Sequence, residues 1–384
     1  MERHNAQGGK MLMCASRSSH IRQFHEPYLR WLFERGWKVD TVSQGRPGMR
    51  WTRQELDFSF SKKEISLKNI QTIFKVSKLL RQERYDVVVA HATLAGFLTR
   101  LAVVLATSPK PRLALVCHGY LFREGGGWKN QVYRLCEKAF SGQVDCLLTM
   151  NREDEFLAHR YGLCREIFRI PGMGVCPLPY PKAEEIQRTK QRLGLENTGP
   201  VFLCVGEFSR RKNQALLLDA FAQISPHFPG ARLLFAGEGE LLEACRQQAR
   251  SLGDSVQFLG QRSDIPLLLS CCDWLVTASR SEGLPFSVME ALALGKPVLA
   301  SNVKGHQDLI RHGENGRLFP LDDRLALISC WESILRGPDW REKGILPEKY
   351  QIHQVLPQVM ACYLAGTPWE IGGSGHEENQ KEKN

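Results

Sequence analysis

The 384-residue chain lacks an uninterrupted apolar stretch long enough to span a bilayer. Its longest candidate, "LTRLAVVLATS", is interrupted by Arg100 and falls well short of the roughly 20 residues required. The opening "MERHNAQGGK" is too polar for a secretory signal. A cytoplasmic location is expected, with peripheral attachment to the inner face of the plasma membrane left open. Among the 12 cysteines no Cys-x-x-Cys pair occurs, and the only close pair is the adjacent Cys271–Cys272. Zinc spacing is therefore missing, and Cys14, Cys117, Cys204 and Cys362 are expected to be free thiols like the rest. No Asp-x-Asp is present, so no metal is expected to be required, and no Gly-x4-Gly-Lys-Ser/Thr phosphate loop exists. Gly237-x-Gly239 opens like a dinucleotide fingerprint, but Leu242 stands where the third glycine belongs, which favours a plain strand-to-helix turn.

Charge is plentiful but uneven. The chain has 51 Lys and Arg against 41 Asp and Glu. Residues 1–190 carry about 31 against about 18, roughly +13, which leaves the remainder at roughly −3. A basic first half suits an anionic membrane surface or a diphosphate lipid, or else a solvated face with no partner. Nucleic acid is not expected, because aromatics do not alternate with the basic residues as stacking platforms would require.

Short apolar runs alternate with amphipathic ones. "KMLMCAS", "KVDTVS", "DVVVAHA" and "RLALVCHG" predict strands, with helices over "FHEPYLRWLFERGW", "LKNIQTIFKVSKLLRQERY" and "AGFLTRLAVVLA". In the second of these helices Leu67, Ile70, Phe74 and Ser77 share a face. Continuous Val/Leu runs fit parallel strands buried on both sides. The βαβ alternation restarts at "PVFLCVGEF" and continues through "ARLLFAGEG", "VQFLG", "WLVTAS" and "PVLAS". The Pro- and Gly-rich "IPGMGVCPLPYPKAEE" divides the two halves. Two doubly wound α/β domains are expected, 1–175 and 176–345, facing each other across a cleft. A helix at about 350–366 is expected to pack back on the first domain, followed by a disordered tail, 367–384.

Within the second half, "RSEGLP" links the strand "WLVTAS" to the helix "FSVMEALALG". Glu282 falls on the loop and Glu290 one to two turns into the helix. The helix N-terminus near Gly283 to Ser287 suits a phosphate, Gly283 allows close backbone approach, and Pro285 costs no hydrogen bond there. Carboxylates on both sides of a phosphate cradle suit a ligand with hydroxyls at both ends, such as a nucleotide sugar. The alternative is two acids that merely favour a helix N-terminus.

Glu282-x7-Glu290 resembles the signature of glycosyltransferase family 4, retaining enzymes of GT-B fold. "VGEFSRRKNQALLLDAFAQI", "LLFAGEGELLE", "VQFLGQRSDIPLLLSCCDWLVTASRSEGLP" and "GKPVLASNVKGHQDLIRHGENGRLF" resemble that family's C-terminal domain. "RQFHEPYLRWLFERGWKVD", "CHGYLFREGGGWKNQVYRLCEKAF" and "DCLLTMNREDEFLAHRY" resemble the subgroup that builds bacterial exopolysaccharide, capsule and lipid-linked glycans. The resemblance implies that Glu282 contacts the transferred sugar and Glu290 holds the ribose. It implies that the backbone of Gly283, Leu284, Pro285 and Phe286 binds the diphosphate and that Lys212 neutralises it as it leaves. Gly206 and Arg211 join this donor site, Arg262 lines the base pocket, and His118 faces the donor sugar from the first domain.

Four positions depart from the family's pattern. Glu207 follows Gly206 where an arginine is usual, which leaves Arg210 or Arg211 to supply the charge. "SRSSH" (Ser16–His20) replaces paired glycines, Leu121 replaces a second histidine, and Cys176 an aspartate. Lys62 to Arg84 suits either a lipid surface or a wet helix face, and "REGGGW" either a loop over the acceptor or a plain turn. The implied activity is metal-independent transfer of a hexose or N-acetylhexosamine from a UDP-sugar to a polyprenyl-diphosphate-linked glycan. A non-hydrolysing UDP-sugar epimerase and an inactive binding subunit are the alternatives.

Overall fold

A computed structural model describes residues 8–61, 66–106, 109–337 and 342–370. The expected tail from 371 onward, and Lys62 and Lys63 of the expected basic helix, lie outside the described residues. The chain forms two compact units. One runs to Gly174 and resumes at Ile352; the other is Val175–Gln351.

In the first unit the elements are β1 (Lys10–Arg17), α1 (Ser18–Phe24), α2 (Glu26–Glu34), β2 (Lys38–Gln44), β3 (Gln54–Asp57), α3 (Leu67–Glu83), β4 (Val87–His91) and α4 (Thr93–Ala106). They continue with β5 (Arg112–Val116), α5 (Trp128–Lys138), β6 (Cys146–Thr149), α6 (Arg152–Arg160) and β7 (Ile167–Arg169). The seven strands are parallel, in the order β3-β2-β1-β4-β5-β6-β7. The order reverses between β1 and β4, where Ala15 pairs with His91. Every residue of β4 is buried, which its unbroken Val-Val-Val-Ala run requires of a central strand.

The helix predicted over Phe24–Trp37 is α2; a further short helix, α1, precedes it, and the two meet at His25. Pro27 lies in the first turn of α2 and has no N–H to carry the ladder through. Of the four residues expected on one face of α3, Leu67, Ile70 and Phe74 point outward, at 78%, 45% and 59% exposure, whereas Ser77 at the edge of that face is buried. The buried side is Asn69, Thr72, Val76, Ser77 and Leu80. Asn69 exchanges bonds with the backbone of Ser61, and Thr72 donates to Ser59. Loop-to-helix hydrogen bonds thus chose the inward face over apolarity.

In the second unit α7 (Ala183–Arg192) leads into β8 (Val201–Val205), α8 (Gln214–Ile224), β9 (Arg232–Ala236), α9 (Leu242–Gln248), β10 (Val256–Phe258) and α10 (Ile265–Cys271). Then come β11 (Trp274–Thr277), α11 (Phe286–Ala293), β12 (Val298–Ser301), α12 (His306–Leu309), β13 (Gly316–Phe319) and α13 (Arg324–Arg336). Six parallel strands run β10-β9-β8-β11-β12-β13, with the reversal between β8 and β11. Trp331 of α13 is fully buried against Phe202 and Phe221, with ring centroids at 5.0 and 5.4 Å. Strands β3 and β13 are too short and mixed to stand out as apolar runs.

Helix α14 (Ile352–Leu364) belongs to the first unit and packs on α2, β4, β5 and β6. Val355, Val359, Met360 and Tyr363 are buried, and Arg112 donates to the Cys362 carbonyl at 3.2 Å. Residues 367–370, expected to begin the disordered tail, are folded instead. The Trp369 ring lies 4.9 Å from that of Trp37, and a fixed aromatic contact of this kind holds the segment down.

Candidate active site

Three charged side chains of the second unit converge beyond the carboxyl ends of β8 and β11, its reversal point. Glu282 sits on the loop between β11 and α11, with 9% of its surface exposed. Lys212 Nζ lies 2.7 Å from its Oε1 and Arg211 Nη1 2.9 Å from its Oε2. Arg211 also donates to the Ser281 carbonyl at 3.0 Å. Of the two arginines left open by the sequence, Arg211 is thus the one that reaches the acid. Burial raises the carboxyl of Glu282, but Lys212 and Arg211 outweigh it and hold the group at about 2.

Glycine shapes this corner. Gly206 ends β8 with φ +154°, and a Cβ there would come within 3.1 Å of the Lys212 stem. Gly305, at φ +79°, approaches so closely that its Cβ would meet the Gly283 carbonyl oxygen at 2.6 Å. His306 follows, fully buried; its Nδ1 lies 2.8 Å from the Ser301 carbonyl oxygen and its Nε2 has no hydrogen-bond partner among the described residues. Burial lowers its pKa, opposed by the nearby Glu282. His306 was not among the expected site residues, although like His118 it lies beyond the carboxyl end of a strand.

Pro285 is the N-cap of α11, one residue ahead of the first helical turn, and Gly295 closes the helix at φ +77°. Glu290 sits one to two turns in, largely buried, and desolvation alone pushes it from 4.5 up to about 7. The two glutamates of one motif therefore carry opposite perturbations: one is locked ionised, the other poised near neutrality. Arg262 is held by Asp264 in a two-pronged ion pair at 2.8 and 2.6 Å.

His118 belongs to the first unit, just past β5. Three histidines that the sequence reading passed over as candidates surround it. His91 ends β4, and its Nδ1 lies 3.2 Å from His118 Nε2. The His25 ring lies 4.0 Å from that of His91, and His20 lies 4.6 Å from His118 and 5.2 Å from His25. Burial pushes His20 down to about 4 and the other three well below their usual value. The signal in the sequence was position alone: His91 ends a strand in "VVVAHA", His118 follows one in "LVCHG", and His20 and His25 follow another in "SRSSHIRQFH". Among the described residues, no three His, Cys, Asp or Glu side chains are placed to hold a metal ion.

Comparison with known proteins agrees with this architecture. Residues 23–171 match the family described as "Glycosyl transferase 4-like domain" and residues 185–344 "Glycosyl transferases group 1". A relative from Bacillus subtilis (strain 168), named "Putative glycosyltransferase EpsD", is 31% identical over 86% of this chain and 88% of its own. The Escherichia coli UDP-Gal:alpha-D-GlcNAc-diphosphoundecaprenol alpha-1,3-galactosyltransferase is 27% identical over 69% of this chain and 70% of its own. Anabaena Alr3699/HepE, solved with UDP and glucose, superposes with TM-score 0.74 at 20% identity, covering 92% of this chain and 98% of that one. Thermosynechococcus elongatus sucrose-phosphate synthase gives 0.75 at 21% identity and the same coverages. The chain belongs to the glycosyltransferases of family 4, with the GT-B fold.

Proposed function

We propose that the chain is a retaining glycosyltransferase that moves a hexose or N-acetylhexosamine from a UDP-sugar to a polyprenyl-diphosphate-linked glycan. The observation that carries this reading is the buried Glu282 held between Arg211 and Lys212 at the mouth of the second sheet. In the proposed donor complex the two cations meet the diphosphate, and the N-terminus of α11 adds its partial positive charge. Charge that builds on the departing UDP is then neutralised by protein groups, so the reaction needs no metal. Glu282, ionised at every physiological pH, contacts the transferred sugar. Glu290 accepts hydrogen bonds from the ribose, which draws its proton off. The lipid-linked acceptor is suggested by the substrate in the name of the Escherichia coli relative and is assigned to the first unit.

Attachment to an anionic membrane fits the outward faces of two helices in that unit. On α3 the exposed Leu67, Ile70 and Phe74 lie among Lys68, Lys75 and Lys78; on α5 the exposed Trp128, Val132 and Leu135 lie beside Lys129 and Lys138. Among the described residues no helix is long and apolar enough to cross a membrane.

The test is incubation with a panel of UDP-sugars, with and without a prenyl-diphosphate-linked sugar. Transfer only in the presence of acceptor, abolished in Glu282→Gln while UDP still binds, is the expected outcome. Conversion of the UDP-sugar without acceptor would point to an epimerase instead.

A further inference from the structure

Imidazoles buried in protein are normally oriented by a carboxylate or a carbonyl. The cluster in the first unit is not. Both ring nitrogens of His20, both of His25 and Nε2 of His91 are buried with no hydrogen-bond partner among the described residues. Burial, and for His25, His91 and His118 the neighbouring rings, disfavour the charged form. The cluster borders a cavity of about 1000 Å³ at the reversal point between β1 and β4, the usual ligand position in such a sheet. The cavity wall includes Arg17, Lys68, His20, His91 and His118, and serine hydroxyls, and no Asp or Glu among the described residues. Ala92, which opens the 14-residue α4 onto this cavity, is held at φ +67°, a strained conformation for a residue with a side chain.

We propose that this cavity binds a phosphate ester or diphosphate and takes up a proton as it fills, the proton residing on the four-histidine cluster. In the empty cavity an imidazolium has no counter-charge, so the cluster stays neutral. An entering phosphate supplies that charge, and one ring nitrogen accepts a proton from solvent and donates its N–H to a phosphate oxygen. The proton belongs to the cluster and not to one residue, because the rings interact. His25, which does not line the cavity and lies against His91, acts as a positioning residue. The inference rests on the proposed function only in naming the acceptor's diphosphate as the natural occupant.

Arg22, Tyr28 and Asp154, on elements packed around the cluster, have hydrogen-bond partners of their own. Arg17 and Lys68 reinforce the preference for an anion. Arg22 is engaged with the Pro47 carbonyl, and Tyr28 donates to the Met173 carbonyl. Asp154 of α6 accepts from Asn151 and from the Tyr120 backbone and lies 4.0 Å from the Cys117 thiol. Tyr363 of α14 has its hydroxyl pushed well up by burial.

The probe is geranyl-diphosphate-linked N-acetylglucosamine, both of whose phosphates are ionised throughout, with inorganic pyrophosphate as the lipid-free arm. Calorimetry on the full chain at pH 7.5, in two buffers of different ionisation enthalpy, counts the protons exchanged. About one proton taken up per probe is expected, with affinity falling about tenfold per pH unit across the window where uptake is complete. Tighter binding of the linked sugar than of pyrophosphate points to the acceptor lipid; equal binding points to a free phosphate site. Arg17→Ala with Lys68→Ala should weaken binding at least tenfold. His25→Gln and His91→Gln, checked for folding by circular dichroism, should bind with proton uptake cut by half or more. Binding without uptake, no binding by folded wild-type protein, or loss confined to Lys212→Ala would overturn the proposal. Proton-linked binding by a chain that ignores every UDP-sugar would leave this site standing and sink the donor reading.

Discussion

Replacing Glu290 by glutamine should stabilise the protein and weaken it as an enzyme, and the first effect can be worked from one number. Glu290 has its carboxyl raised from 4.5 to about 7 by desolvation. A raised acid leaves stability untouched below its unfolded pKa and costs progressively more as pH climbs towards the folded value. Above that value the cost is constant. At 1.36 kcal/mol per pKa unit, the cost is about 1 kcal/mol at pH 5 and about 3 kcal/mol at pH 8, as an upper bound. Glutamine mimics the protonated form at all pH values and removes it. Urea unfolding of wild type and Glu290→Gln at both pH values should therefore show a stability gain that grows by about 2 kcal/mol between them. The same variant should bind UDP about tenfold or more weakly, because a charge-assisted hydrogen bond to ribose is lost. A gain of the same size at both pH values would refute the desolvation argument, and unchanged UDP affinity would remove Glu290 from the donor site.

Lys212→Ala should leave Glu282 buried with only Arg211 beside it. It should lower kcat by at least tenfold, as loss of leaving-group stabilisation predicts, measured with a coupled UDP-release assay. Gly305→Ala should displace the Gly283 loop, since its Cβ would fall 2.6 Å from that carbonyl, and abolish UDP-induced thermal stabilisation without unfolding the second unit. Leu67→Ser, Ile70→Ser and Phe74→Ser together should at least halve sedimentation with anionic vesicles while leaving UDP binding intact; equal sedimentation would separate α3 from the lipid surface.

The sheets were legible in the sequence because parallel strands buried on both sides leave uninterrupted Val/Leu runs, as in "DVVVAHA" and "RLALVCHG". The loop and helix that carry Glu282 and Glu290 were legible because Gly, Pro and an apolar helical pattern mark that junction. The partnership of Arg211 with Glu282 was not, because residues so far apart in the chain meet only after β8 and β11 are paired. The histidine cluster was hidden for the same reason: its members lie on three segments that β1, β4 and β5 bring together at one edge. The outward face of α3 was misleading because apolar spacing fixes which residues share a side, while Asn69 and Thr72 fixed which side faced in. Strands β3 and β13 escaped notice because four residues of mixed character carry no period.

The central claim is that the Glu282 corner works on a UDP-sugar and passes its sugar to an acceptor with configuration kept. It is tested most directly by NMR of the product formed from a UDP-α-sugar and a prenyl-diphosphate-linked sugar. The account predicts an α-linked product that disappears in Glu282→Gln. A β-linked product, or full turnover by that variant, would contradict it.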